Sequence, residues 1–429
     1  MPLPATLRSL ENRNYRVWSS GALVSNIGTW MQRAAQDWLV LTELTHHSAT
    51  AVGVVMGLQF GPQLLLLPWT GTAADHFQQR RLLMVTQTLM GLLALVLGVL
   101  TIGGWIRLWQ VDVLAFLFGC AAAFDAPARQ TFVGELVNED SLANAVALNS
   151  TSFNAGRMLG PAAAGLIIAA LGTGWAFLLN GLSFFAVLAA LLCLDQAALF
   201  PKARTRRAKG SFTAGLRYVR ARPDLMAMLL MLALIGTFGL NFAIYISTMA
   251  VMVYHAGAGT YGLLTSTMAV GSIAGALLAA QRDKPSIPLL MVGAGVFGLG
   301  CTLAALMPNE LLFAATLVII GISAQTFTTS TLSLAQMTTA PAVRGRVIAI
   351  VLAIAMGGTP IGAPIVGRVA DSLGPRWALA LAGASGFGAA LVGARYLARH
   401  RGLRFGFAGG RWHWHMDDGE LPGDSAPLR

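Results

Sequence analysis

The stretch GPAAAGLIIAALGTGWAFLLNG, residues 160–181, returns 202 residues later as GAPIVGRVADSLGPRWALALAG, residues 362–383. Eight of the twenty-two positions agree: Gly160 with Gly362, Gly165 with Gly367, Leu171 with Leu373, Gly172 with Gly374, Trp175 with Trp377, Ala176 with Ala378, Leu179 with Leu381 and Gly181 with Gly383. Apolar composition inflates chance identity at Gly, Ala and Leu, but it does not account for the paired tryptophan inside a spacing that keeps four of the five glycines. The chain therefore reads as two related segments of about equal length. Each copy is an apolar run, a glycine break and a second apolar run, which is two membrane spans joined by a tight turn.

Runs of the same kind fill the rest of the 429 residues, which are 55% apolar, 11% charged and have a mean hydropathy of +0.65. A soluble domain carries roughly twice that charged fraction. A soluble enzyme, a disordered chain and a secreted disulfide scaffold are all excluded on these grounds. Apolar runs bounded by charges and turn residues predict an all-α membrane protein with twelve transmembrane helices, at 17–44, 49–74, 82–103, 108–127, 142–170, 174–197, 224–254, 259–280, 286–307, 310–337, 347–372 and 377–394. The repeat pairs the fifth span with the eleventh and the sixth with the twelfth. The predicted organisation is an N-terminal six-helix half (1–197), a basic linker (198–223), a C-terminal six-helix half (224–399) and a cytoplasmic tail (400–429). The first span follows no charged, cleavable leader pattern and is read as a retained helix.

Of the 29 Lys and Arg residues, 24 fall on the side that holds both termini, two (Arg107 and Arg376) on the other, and Arg33, Arg157 and Arg368 within spans. Basic residues resist translocation, so both termini are expected in the cytoplasm. The net charge of +11 is thus a topological signal, and nucleic acid is not expected as a partner. The linker holds Lys202, Arg204, Arg206, Arg207, Lys209, Arg217, Arg220 and Arg222; it reads as a solvated connection touching anionic headgroups of membrane lipids. Cys120, Cys193 and Cys301 lie in apolar segments without metal spacing and read as packing residues. His413, His415, Asp417 and Asp418 sit close together in a tail expected to be disordered, and no metal or cofactor is expected there.

Polar residues inside spans mark the candidate site. Asn26, Trp30, Arg33 and Asp37 follow a 4, 3, 4 spacing, one face of a helix, with Gln32 and Gln36 beside it. An ionisable group at the bilayer centre costs about 2.5–3.5 kcal/mol, so Arg33 and Asp37 must face protein or water. Their fourfold spacing allows an ion pair. Such a pair either fixes helix packing or, with burial and the guanidinium acting in opposite senses, leaves Asp37 able to exchange protons. Ser150, Asn154 and Arg157 form a second stripe ahead of Pro161. In the C-terminal half the stripes are uncharged: Asn241 and Tyr245, then Gln325, Thr328 and Thr329. Together they describe a cavity with charges on one wall and neutral hydrogen-bonding groups on the other, suited to a small amphipathic organic substrate. Asn26, Asn154, Arg157, Tyr245 and Gln325 are the expected lining.

Two further motifs carry a resemblance. The loop GTAADHFQQRR, residues 71–81, looks like the cytoplasmic loop signature of the major facilitator superfamily, with Gln78 and His76 departing from it. The helix GRMLGPAAAG, residues 156–165, resembles that superfamily's antiporter motif through Gly156, Gly160, Pro161 and Gly165. With FDAPARQ, residues 124–130, the chain resembles the drug- and siderophore-exporting branch of enterobactin-exporter-like and macrolide-efflux-like transporters across roughly 14–398. The resemblance implies the major facilitator fold, with Gly71, Asp75 and Arg80 at a cytoplasmic gate. One departure bears on coupling: Ala115 stands four residues before Gly119, where proton-linked relatives carry Arg.

The resulting expectation is a multi-pass bacterial inner-membrane secondary transporter. It exports an amphipathic organic compound by proton antiport, with Asp37 as proton site and Arg33 as its partner. A proton-independent facilitator or importer on the same fold stays open. No GxxxxGK[ST] loop, HExxH or GxSxG occurs, so neither direct ATP drive nor an enzyme is expected.

Overall fold

The computed structural model describes residues 5–67, 69–70, 73, 77–200, 212–281, 285–400, 404–408 and 411–415. Gly71 and Asp75, the linker residues Lys202 to Lys209, and Asp417 and Asp418 lie outside the described residues. The helices are α1 (Arg13–Trp38, prolonged by a π turn Leu39–Leu44), α2 (Ala49–Leu65), α3 (Gln79–Ile102), α4 (Leu108–Val133), α5 (Glu139–Leu171) and α6 (Thr173–Leu192). After the short α7 (Phe212–Arg220) come α8 (Pro223–Val253), α9 (Ala258–Ala280), α10 (Ile287–Leu306), α11 (Glu310–Thr338), α12 (Pro341–Leu373) and α13 (Pro375–His400).

Ten of these, among the described residues, are long and apolar enough to cross a membrane. The apolar α2 has 17 residues, and α1 is long enough but falls outside the ten because its polar stripe lowers its hydropathy. The expected spans all meet helices, and the differences lie at their ends. Helix α4 runs on past the expected end at 127 to Val133, with Asp125 and Arg129 satisfying each other within the bundle. The tail, expected to be disordered, contains an antiparallel pair of strands, β1 (Arg404–Ala408) and β2 (Arg411–His415).

Local signals set the helix starts. Asn12, Ser48, Asn138 and Asn309 accept hydrogen bonds from backbone N–H groups at the N-termini of α1, α2, α5 and α11, which satisfies donors that a helix cannot satisfy internally. The repeated glycine makes equivalent turns: Gly172, between α5 and α6, has φ 93°, and Gly374, between α12 and α13, has φ 102°. Both N–H groups return to the carbonyl four residues back, on Ile168 and Ala370. A side chain at either place would be strained.

The other repeated glycines are sites of close approach. A Cβ on Gly160 would lie 2.6 Å from the Cβ of Trp30 on α1, and one on Gly362 would strike the Thr237 carbonyl on α8. At Gly165 it would meet the Ala258 carbonyl that opens α9 (2.6 Å), and at Gly367 the Ala49 carbonyl that opens α2. Gly181 faces Leu95 of α3, and Gly383 faces Gly298 and Thr302 of α10. Small residues let helices pack closely where lipid supplies no hydrophobic drive, and each repeat uses them against the corresponding neighbour.

Helices α1–α6 pack mainly among themselves, as do α8–α13. The two sets meet along α2 with α12 and α5 with α9. These crossings are tightest toward the end that carries the short turns, where Gly53 backs onto Ala363, Gly57 onto Pro360, and Gly262 onto Pro161. Toward the opposite, linker end the last such contact of α2 and α12 among the described residues joins Leu64 to Gly357; beyond it Leu65, Leu352 and Met356 are exposed and Gly345 has open space around it. On α5 the residues before Asn154 are likewise open, with Ser150, Thr151 and Phe153 exposed. Among the described residues the close glycine contacts between the two sets thus concentrate at the short-turn end and thin out toward the linker end.

Candidate functional site

The α1 stripe lies against both sets of helices. Asp37 is buried, and its Oδ2 is 3.5 Å from the hydroxyl of Tyr261 on α9, which is also buried. Trp38 stacks on the Tyr261 ring at 5.8 Å. The expected Arg33–Asp37 ion pair is not formed: the two interact through space but do not come within 4 Å. The physical reason is competition from aromatic faces. The guanidinium of Arg33 sits 4.7 Å from the Trp30 ring, on its own helix, and 5.1 Å from the ring of Phe60 on α2, and desolvated cation–π contacts of this kind contribute about 2 kcal/mol or more. The Arg33 Nε has no hydrogen-bond partner among the described residues.

On α5, Arg157 reaches across to the other set. Its Nη1 donates to Gln325 Oε1 of α11 at 3.4 Å and its Nη2 to Ser272 Oγ of α9 at 3.3 Å. Gln325 in turn donates to Thr329 Oγ1 at 3.1 Å. The structure therefore joins Arg157 and Gln325 by a hydrogen bond, while the polar groups of the other expected lining residues bond elsewhere. The Asn154 amide donates to the Ser150 carbonyl of its own helix. Tyr245, expected to line the cavity, is fully buried, and its hydroxyl donates to the Phe238 carbonyl. That carbonyl is available because α8 passes through a π turn at Ile235–Gly239 and breaks at Leu240 and Asn241, leaving the normal helical ladder incomplete. Thr328 also bonds within its own helix.

Asn26 belongs to a network whose centre the sequence reading did not select. Asp125 of α4 is buried; its Oδ1 accepts from Thr86 Oγ1 (2.8 Å) and Gln87 Nε2 (2.7 Å) of α3, and its Oδ2 from Arg129 (3.0 Å). Arg129 also donates to Asn26 Oδ1 at 3.3 Å, and Asn26 Nδ2 donates to Ser152 Oγ of α5 at 3.0 Å. The signal was present, since Asp125 and Arg129 have the same fourfold spacing as Arg33 and Asp37. It lies in FDAPARQ, whose likeness to a family says nothing of the pair's partners.

A second missed residue is Asp371, at the short-turn end of α12. Its Oδ1 accepts from the Ala49 N–H (2.7 Å), and its Oδ2 accepts from the Thr50 N–H (2.9 Å), Ser48 Oγ (3.1 Å) and Thr50 Oγ1. One carboxylate of one set thus caps the first turn of α2 in the other. Of the expected gate residues, Arg80 is described: its Nε donates to the Leu191 carbonyl of α6 at 2.8 Å. Gly156, Gly160, Pro161 and Gly165 all lie at helix crossings, Gly156 against Asn26 of α1 and the Pro161 carbonyl against Gly262 of α9.

The chain's relatives match this layout. Residues 5–402 fit the family model described as transmembrane secretion effector. The chain is 25% identical to the staphyloferrin A transporter of Staphylococcus aureus, over 83% of this chain and 89% of that one. It is 24% identical to the enterobactin exporter of Salmonella typhi, over 82% and 84%. The crystal structure of a POT family transporter in complex with 5-aminolevulinic acid superposes with a TM-score of 0.75 at 12% identity, covering 90% of this chain and 96% of that one, which establishes a shared fold. The helical bundle, the site between its two helix sets and a family match over nearly the whole chain lead to one conclusion: this multi-pass membrane protein belongs to the transmembrane secretion effector family of the major facilitator superfamily and is a secondary transporter and not an enzyme.

Proposed function

We propose that the protein exports an amphipathic organic compound across a bacterial inner membrane in exchange for protons. In this reading α1 and α2 complete twelve spans in two six-helix halves, the termini are cytoplasmic, and the short-turn end faces outward. The glycine repeat supports the duplication, since each copy makes the same kind of turn and approaches the corresponding helices, α1 and α3 or α8 and α10 in its own set and α9 or α2 in the other. Two repeats rocking about a site between them is a general route to alternating access.

The observation that carries proton exchange is Asp37: a buried carboxyl with no ion-pair partner among the described residues, facing Tyr261 across the α1–α9 contact. Burying an ionised carboxylate without a paired charge is costly. Neutralisation of Asp37 therefore favours closing the outer end over it, and ionisation favours opening. A cycle follows in which a proton taken from outside accompanies closure and is released before substrate leaves in the opposite sense. A charge crossing 100 mV supplies about 2.3 kcal/mol, enough to drive uphill export before any pH gradient is added. Arg33, held on two rings, tunes this carboxyl through space.

The test is proton release by purified protein in weakly buffered detergent on addition of siderophore-like compounds, macrolides or lipophilic cations. The expected result is ligand-dependent release that disappears in Asp37→Asn while ligand affinity is kept. One observation favours the facilitator reading. Ala115 is buried and uncharged, and Gly119 one turn further on packs on the Gln59 backbone of α2, so position 115 itself supplies no basic charge for coupling. Ligand binding without proton movement in either protein would establish the facilitator and remove Asp37 from the mechanism.

A further inference from the structure

We infer that the transported compound is an organic anion and that Arg157 binds its negative group; this rests on the exporter reading above. Several ionisable residues lie within the helices, and most have their charge answered. Arg129 is neutralised by Asp125, Asp371 caps α2, and Arg33 lies on two aromatic rings within the field of Asp37. Arg157 is different. Its partners are the neutral Gln325 and Ser272, and no acidic group acts on it among the described residues.

The two bonds that Arg157 makes are long, 3.4 and 3.3 Å, whereas guanidinium–oxyanion bonds close to about 2.7–2.9 Å and are roughly twice as strong as neutral ones. Gln325 and Ser272 are thus weak stand-ins that an oxyanion displaces. A guanidinium presents a planar fork suited to two oxygens of one carboxylate.

Its place in the bundle makes Arg157 reachable from the linker end. On one side lie the close contacts, Met158 with Ser266, Pro161 with Gly262 and Gly165 with Ala258. On the other side α5 is open, with Ser150, Thr151 and Phe153 exposed. Phe153, 47% exposed, meets Trp30 edge-on at 5.6 Å. A charged group at the apex and an aromatic surface below it describe a ligand with an anionic head and an apolar body. Because Arg157 also ties α5 to α9 and α11, an anion that takes the guanidinium loosens a link between the two helix sets. Loading is thereby coupled to rearrangement.

Carboxyfluorescein and rhodamine 123 share a xanthene ring system and differ in charge, which makes them suitable probes. Binding of each to the purified full-length protein is followed by fluorescence anisotropy, and flux is followed in proteoliposomes. The expected result is saturable binding of carboxyfluorescein in preference to rhodamine 123. Arg157→Gln should weaken it by about tenfold or more and Arg157→Lys by less, the lysine keeping the charge but not the fork. Both variants are checked for a native-like elution profile, and retention by the lysine variant separates lost charge from lost folding. Preference for rhodamine 123, carboxyfluorescein binding indifferent to Arg157→Gln, or binding of neither dye would overturn the inference. Arg157-dependent binding with no flux of either dye would instead overturn the exporter reading while leaving the anion site standing.

Discussion

Removing the Asp371 carboxylate should open the short-turn end of the bundle. The side chain spans from α12 to the first turn of α2 and accepts two backbone N–H groups and two hydroxyls, so Asp371→Ala deletes a helix cap supplied in trans. Capping side chains contribute about 0.5–2 kcal/mol, and a carboxylate at an exposed helix N-terminus adds about 0.3–1 kcal/mol through the dipole. Asp371 is exposed, so screening by solvent and salt keeps the total at about 1–1.5 kcal/mol. If the bonds exist only while this end is closed, the closed-to-open ratio falls about five- to twelvefold. A protein that is about 90% closed would become roughly half closed. Nitroxide labels at the exposed His47 and Leu373, in a background lacking Cys120, Cys193 and Cys301, report the separation of α2 and α12 by electron–electron double resonance. The long-distance fraction should grow in Asp371→Ala and grow less in Asp371→Asn, which keeps one acceptor oxygen. Identical distance distributions in the native protein and Asp371→Ala would refute the latch and reduce Asp371 to a local cap.

Two further outcomes follow from geometry. Breaking the buried Asp125–Arg129 pair from one side, by Asp125→Asn or Arg129→Leu, should destabilise the detergent-solubilised protein by about 3–5 kcal/mol, with the double variant less affected than either single change; thermal unfolding followed by tryptophan fluorescence checks this, and unchanged midpoints would contradict it. Gly172→Ala and Gly374→Ala should each cost about 1–2 kcal/mol because both positions hold φ near 100°, whereas Gly257→Ala, with open space and an extended φ of −80°, should be nearly silent in the same assay.

Much of the fold was legible in the sequence because it depends on local physics. A run of about 20 apolar residues has few stable forms other than a spanning helix, and ten helices among the described residues are long and apolar enough to be one. The glycines of the repeat were informative for a similar reason: a position where two backbones touch admits no side chain, and that restriction survives when the surrounding residues drift. The site was less legible. Two Asp/Arg pairs share a fourfold spacing, and spacing alone cannot say which one closes. Asp125 closes on Arg129 because Thr86 and Gln87 complete its shell. Arg33 stays apart from Asp37 because Phe60 arrives from α2. Tyr245 has the helical position of a lining residue, but the break in α8 offers it a carbonyl instead.

The amino-acid sequence by itself determined that this is a polytopic helical membrane protein with a duplicated pattern and ionisable groups in its first and fifth spans, because hydrophobic length, basic-residue asymmetry and glycine spacing act within one or two helices. Only the tertiary structure decided the partners: Tyr261 for Asp37, Gln325 and Ser272 for Arg157, and the N-terminus of α2 for Asp371. These contacts join residues from 115 to 322 positions apart. A hydrogen bond depends on ångström-scale placement of both groups, and that placement is set by how whole helices cross, which no local pattern encodes.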